Sequence, residues 1–151
     1  MQVRHGEYLI SDEPSRLDPA AIHAYLTTSY WAEGISLEIV TRALQGSLNL
    51  GIYTPDGAQV GLVRVVSDYA TFAYVCDVYV LGSHRRHGLA KAAMKATLAH
   101  PKLQGLRRIN LVTRDAHSLY TRFGFTPVVR PERYMEKLDP DLYRRLLATS
   151  P

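Results

Sequence analysis

Residues 75–94, VCDVYVLGSHRRHGLAKAAM, constrain the fold of this chain more than any other stretch. An apolar, β-rich run ending at Leu81 crosses a short turn and enters an alanine-rich segment, Leu89–Leu98, with helical spacing. A strand feeding directly into a helix belongs to a layered architecture, with the strand in one layer and the helix on another. The turn carries Arg85, Arg86, His84 and His87 and no acidic residue. The first turn of a helix leaves backbone N–H groups unpaired, and the helix dipole favours an anion there. Small Gly88 and Ala90 would let anionic oxygens approach the backbone, with Arg85, Arg86 and His87 as side-chain donors. The same residues would equally make a solvated basic turn in which Gly88 serves only geometry. The segment fits neither G-x-G-x-x-G nor G-x-x-x-x-G-K-[ST].

The charge distribution reinforces this focus. Residues 1–75 hold four Lys/Arg against eight Asp/Glu, whereas residues 76–151 hold fourteen against six. From His84 to Arg108 there are seven basic residues and no acidic one. Such a field attracts polyanions, and charge alone does not choose among nucleic acid, anionic lipid and a phosphate-rich cofactor. The aromatic residues precede the basic run rather than interleaving with it, which argues against nucleic acid. With 151 residues, 46% of them hydrophobic, the chain suits one compact domain, 1–151, with a genuine core. No apolar run approaches the length of a membrane span, and the N-terminus lacks a signal-peptide pattern. The single cysteine, Cys76, cannot form an internal disulfide, so a cytoplasmic location is expected. No Cys/His cluster has zinc spacing, and no metal is expected.

Elsewhere the pattern alternates between helix and strand periods. Glu7–Ile10 reads as a short strand. Asp18-Pro19 starts a helix over 19–29, and Ser36 caps a second bearing Leu37, Val40, Ala43 and Leu44. Leu48–Tyr53 and Gln59–Val66 are strand-like around the turn Pro55-Asp56-Gly57, and Ala73–Leu81 is a third strand. Arg107–Thr113 reads as a strand, Ala116–Phe123 as a helix closed by Gly124, and Phe125–Val129 as a further strand. Tyr134–Leu138 is a last strand or an irregular edge, and Asp139-Pro140 starts a terminal helix. This order predicts a mixed α/β (α+β) fold.

Two segments resemble a known superfamily. Arg85-Arg86-His87-Gly88-Leu89-Ala90 matches the Q/R-x-x-G-x-G/A signature of the Gcn5-related N-acetyltransferases (GNAT). Ala116-His117-Ser118-Leu119-Tyr120-Thr121-Arg122-Phe123-Gly124-Phe125 resembles the A-x-x-L-Y-x-x-x-G-F segment near the end of that fold. The intervening helix and strand also agree, and the overall look is that of small bacterial single-domain members. The resemblance covers residues 1 to about 138, leaving 139–151 as a C-terminal helix. It implies the acyl-CoA N-acyltransferase fold, a mixed and largely antiparallel sheet flanked by helices, in which two neighbouring strands splay apart to admit acetyl-CoA. By that analogy, Val78, Tyr79 and Val80 offer main-chain groups to pantetheine, and residues Arg85, Arg86, His87, Gly88, Leu89 and Ala90 wrap the pyrophosphate. This chain departs from many members in having Arg86 for Gly, Gly82 for Pro and Thr113 for Asn.

Acetyl transfer to an amine, with CoA as product, needs a neutral amine, a held carbonyl and a proton for the departing thiolate. The motif match makes Tyr120 the acid, since a tyrosine with an ordinary pKa near ~10 is protonated at neutral pH. The alternative is a tyrosine packed beside Phe123 with a wetted hydroxyl. Asp77 is a candidate base or amine anchor, with hydrogen bonding inside the sheet as its competing role. His5, His84 and His117 are chemically capable bases that nothing singles out. Glu33, in the loop after the first helix, belongs either to the acceptor wall or to solvent. Tyr30, Trp31, Tyr69 and Phe72 form an aromatic bias suited to a small amine with an apolar portion, or to packing. Cys76 reads as a small strand residue. The expected partner is a small-molecule primary amine, with a protein or peptide acceptor, or a CoA-sensing role without turnover, as alternatives. A homodimer is expected from fold analogy alone.

Overall fold

The computed structural model describes residues 1–149 and divides into two compact units, Met1–Val112 and Thr113–Pro151. The first unit holds one six-stranded sheet in simple chain order: β1 (Gln2–His5), β2 (Tyr8–Ser11), β3 (Leu48–Tyr53), β4 (Gln59–Ser67), β5 (Phe72–Val80) and β6 (Arg108–Leu111). The first four pairings are antiparallel and β5–β6 is parallel. The parallel pair needs a crossover, and α3 (Leu89–Leu98) supplies it. All six residues of β3 are buried, so both faces of the sheet are covered at its centre. There α3 packs on β1, β3, β4 and β5, while α1 (Pro19–Leu26) packs on β4 and on α2 (Leu37–Gln45).

The helix starts follow the local chemistry read from sequence. Asp18 Oδ1 accepts from the Ala21 amide at 2.9 Å, with Pro19 at the first helical position, and Ser36 Oγ accepts from the Ile39 amide at 3.3 Å. α1 stops at Leu26, three residues short of the expectation. There the Thr28 and Ser29 hydroxyls turn back onto the Tyr25 and Leu26 carbonyls and satisfy the orphan acceptors. The N-terminal strand expected at 7–10 proves to be one arm of a hairpin turned at Gly6, φ +58°. Its other arm, Gln2–His5, is mostly exposed and carries no alternating apolar signal.

Gly51 has a packing role that period alone does not reveal. A Cβ there would sit 2.2 Å from Tyr53 Oη and 2.5 Å from its Cζ, because residues two apart share a strand face. The Tyr53 ring is buried, its hydroxyl has no partner among the described atoms, and burial pushes the phenol up to about 12. Gly51→Ala should therefore cost about 2 kcal/mol of stability through overpacking. Denaturant titration at constant m-value measures it, and an unchanged midpoint would show that the ring relocates freely.

In the second unit, the expected helix over 116–123 is one α turn, α4 (His117–Tyr120), followed by a 3₁₀ turn Thr121–Phe123 that Gly124 closes at φ +83°. Phe125–Val129, expected as a strand, is irregular, as is Tyr134–Leu138. Pro127 lacks the amide a ladder needs, and Val128 and Val129 are exposed. α5 (Leu142–Thr149) is the terminal helix. Residues 150–151 lie outside the described part.

Candidate active site

The β4–β5 pairing slips at one place. Leu62 faces Tyr79 and Arg64 faces Cys76, so β5 carries one extra residue across that interval. Asp77 stands in this bulge with φ +48°, a left-handed value uncommon for a side-chain-bearing residue. Its carboxylate is held on both oxygens. Trp31 Nε1–H donates to Oδ1 at 2.9 Å, and Arg64 Nε–H donates to Oδ2 at 2.5 Å. Arg64 also donates through Nη1 to Ser47 Oγ at 3.0 Å, and the Asp77 side chain is only 8% exposed. The sequence candidate for a base is thus tied into an ion pair and an indole hydrogen bond.

Trp31 brings the loop after α1 to the bulge. Its ring lies edge-on to Tyr30 (4.9 Å, 81°) and tilted against Tyr25 (6.2 Å), and Tyr25 stacks on Tyr79 (3.8 Å, 9°). Burial raises the Tyr79 phenol above its ordinary range. Tyr30 and Trp31 are half exposed, so the cluster presents aromatic surface to solvent beside Asp77. Glu33 is exposed on the same loop. Tyr69 and Phe72 are not part of this cluster. Phe72 begins β5, five residues before Asp77 and roughly 16 Å from it at the rise of an extended strand. Tyr69 lies over Lys102 Nζ (5.5 Å) and lines a separate cavity of about 300 Å³ with Asp12, Ser47 and Asn49. The turn between them is closed by Asp68, whose carboxyl is held well below its usual range by bonds from the Thr71 hydroxyl and the Thr71, Ala70 and Phe72 amides.

β5 and β6 pair only from Phe72–Val75 against Arg108–Leu111. β6 ends at Leu111, opposite Val75, so Cys76–Val80 has no strand on its β6 side among the described residues. The main chain of Val78, Tyr79 and Val80 therefore lacks a ladder partner along that edge, although Tyr79 and Val80 are buried. Leu81 then leads through a 3₁₀ turn, Gly82–His84, to Arg85 and to two left-handed residues, Arg86 (φ +69°) and Gly88 (φ +70°). The first helical bond of α3 runs from the Ala92 amide to Gly88 O at 3.0 Å. Among the described residues, the amides of Gly88, Leu89, Ala90 and Lys91 donate to no carbonyl or side chain. Arg85 folds back, its Nε donating to Val80 O at 3.3 Å. Four free amides at the dipole-positive start of α3, with Arg86 beside them, form a candidate anion cradle.

A model of the acetyltransferase (GNAT) family matches residues 16–125, a span that includes the bulge, the end of the β5–β6 pairing, the start of α3 and Tyr120. The chain belongs to this family. A crystal structure of a GNAT-family protein of Xanthomonas campestris pv. campestris superposes with a TM-score of 0.88 at 49% identity, covering 93% of this chain and 99% of that one. An acetyltransferase-like protein of Gibberella zeae is 31% identical, with 76% of each chain covered. A predicted acetyltransferase of Clostridium acetobutylicum, crystallised with acetyl-CoA, shares the fold at a TM-score of 0.63 and 15% identity, covering 91% of this chain and 96% of that one. The mixed, mostly antiparallel sheet with flanking helices is the GNAT architecture.

Other candidates sort by environment. Tyr120, at the end of α4, is buried and meets Phe125 edge-on (6.0 Å, 72°). His117 begins that helix. Burial pushes the Cys76 thiol up to about 11, so at neutral pH it is not a thiolate. Cys76→Ala should keep kcat within about twofold of wild type, because a thiol that burial keeps protonated is a poor nucleophile; complete loss of acetyl transfer in a folded variant would contradict this. Among the described residues no three of His, Cys, Asp and Glu converge as a metal site, and no helix is long and apolar enough to cross a membrane. Sequence reasoning missed Arg64, Tyr25 and Tyr8. Only Arg64 left a trace, as a lone charge inside the apolar run QVGLVRVVS of β4.

Proposed function

We propose that this GNAT-family chain transfers an acetyl group from acetyl-CoA directly to the primary amine of a small molecule. The observation that carries this reading is the end of the β5–β6 pairing at Val75, which leaves the second half of β5 without a strand on that side, followed in the chain by four unpaired amides at the start of α3. The donor set suits a thioester carrier with a diphosphate: uncharged N–H groups for the phosphate oxygens, Arg86 and His87 as side-chain donors, and a strand edge with no ladder partner for an amide-bearing arm. Val78, Tyr79 and Val80 would hold that arm, and Arg85 to Ala90 the diphosphate. Acetyl-CoA would supply the activated acyl group.

The remaining work falls to this chain's own residues. Tyr120 would give its phenolic proton to the departing thiolate sulfur. Tyr30, Trp31 and Glu33 would form the acceptor wall, with the aromatic faces receiving an apolar or cationic portion. Asp77 would hold that wall in place through Trp31 and fix the bulge in the β4–β5 pairing. With both its oxygens already accepting, it suits anchoring better than proton transfer. The amine would arrive neutral and pass its proton to solvent.

Acetyl-CoA-dependent thiol release, measured against small amines, amino acids, polyamines and peptides, tests the reading. An acceptor-dependent rate with small amines and none with peptides is expected. A rate with peptides alone would replace the acceptor class, and CoA binding without turnover on any acceptor would favour a sensor.

A further inference from the structure

The N-terminal hairpin touches the anion cradle at two points, and neither contact is used by the chemistry above. His5 Nε2 lies 2.8 Å from the carbonyl oxygen of His87. A carbonyl can only accept, so Nε2 carries the proton and donates. The His87–Gly88 peptide is trans and planar, as no cis bond occurs among the described residues. Drawing its C=O toward His5 therefore turns the Gly88 N–H to the opposite side, away from the hairpin. Gly88 also sits close over the imidazole: a Cβ there would lie 3.3 Å from His5 Nε2. The glycine is thus required by its φ of +70° and by the histidine beneath it.

The second contact pins the other end of the same turn. Tyr8 Oη lies 3.0 Å from His84 Nδ1, and the Tyr8 ring stands edge-on to His84 (5.8 Å, 87°) and tilted to His87 (5.7 Å, 50°). Between these anchors stands Arg86, a non-glycine residue at φ +69°. Such a conformation persists only where the surroundings over-determine it. Tyr8 is buried in β2, which pairs with β3, so the anchor is continuous with the sheet.

We infer that the hairpin Gln2–Ser11 buttresses the diphosphate cradle and that His5 is a positioning residue that aims the Gly88 N–H at the cofactor's phosphate. This rests on the reading of residues 85–90 as the diphosphate site. His5 was one of three histidines available as a base; its place against a backbone carbonyl gives it a mechanical task instead. An aimed donor contributes one hydrogen bond to an anion, and losing its orientation loosens binding without touching the reacting thioester.

The test is calorimetric titration of the full chain with CoA, alongside steady-state kinetics. His5→Ala should bind CoA about five- to tenfold more weakly, less than the full worth of a charge-assisted hydrogen bond because the amide remains and loses only its aim. It should raise the KM for acetyl-CoA in proportion and leave kcat within twofold. His5→Gln, which can present an amide N–H to the same carbonyl, should restore most of the affinity. Tyr8→Phe keeps the ring and removes only the bond to His84, which gives a milder loss and guards against a His5 variant that fails to fold. CoA affinity unchanged in His5→Ala, or a His5→Gln variant as weak as His5→Ala, overturns the inference while the cofactor reading stands. A wild-type chain that binds no CoA overturns both.

Discussion

Tyr120→Phe should lower kcat for acetyl transfer about a hundredfold while leaving the KM for acetyl-CoA within about threefold. The substitution removes one oxygen and preserves the ring. Tyr120 is buried and its ring meets Phe125 edge-on at 6.0 Å, a contact that phenylalanine keeps, so the fold should survive. What disappears is the hydroxyl that the proposed mechanism uses to protonate the departing sulfur. A positioned acid contributes typically 10²–10⁴-fold, and a thiolate is a good enough leaving group to put the effect at the lower end. A loss confined to kcat identifies a group that acts in the transition state, whereas a rise in KM alone would assign the hydroxyl to ground-state cofactor binding. Equal turnover would remove Tyr120 as the acid.

Arg64→Met should cost about 3 kcal/mol of folding stability. Arg64 and Asp77 are 18% and 8% exposed at their side chains, with Nε and Oδ2 2.5 Å apart. Removing one member of a buried pair strands the other charge, which typically costs 3–5 kcal/mol, and the partial exposure of Arg64 holds the value to the low end. Ser47 loses a donor as well. The same variant should shift the emission of Trp31, the single tryptophan, whose indole N–H shares the Asp77 carboxylate. Adding Asp77→Asn removes the stranded charge, so the double variant should recover about 1–2 kcal/mol relative to Arg64→Met. A denaturation midpoint unchanged in Arg64→Met would show that Asp77 is solvated and that the bulge does not depend on it.

These two residues illustrate how unevenly the site was legible in the chain. Tyr120 stands inside a recognisable local motif, and its place at the end of a helical turn follows from Ala116–Phe125 read as a string. Asp77 was also visible, but only as an acidic residue in a β-rich run. Its task depends on Trp31, 46 positions away, and on Arg64 across a strand pair. The aromatic residues divided in the same way. Tyr30 and Trp31 meet at the bulge, whereas Tyr69 and Phe72, equally aromatic in sequence, are carried to the other end of β5 by the length of the strand. Phe125–Val129 shows the converse limit. Its apolar, β-branched pattern suits a strand, but a strand exists only with a partner edge, and Pro127 gives up one ladder donor.

The sequence by itself determined what depends on near neighbours: the helix starts at Asp18 and Ser36, the strand–turn–helix at residues 75–94, and the two motifs that mark the GNAT family. Periodicity, caps and left-handed turn residues are read within a few positions, because the forces involved act between residues that close along the chain. Tertiary structure decided the rest. The extra residue at Asp77, the end of the β5–β6 pairing at Val75, and the seating of His5 beneath Gly88 all rest on strand register and on contacts across as many as 82 positions. A strand's period tells which face is buried and not which partner it meets or where the pairing slips, so these features emerge only when the sheet assembles.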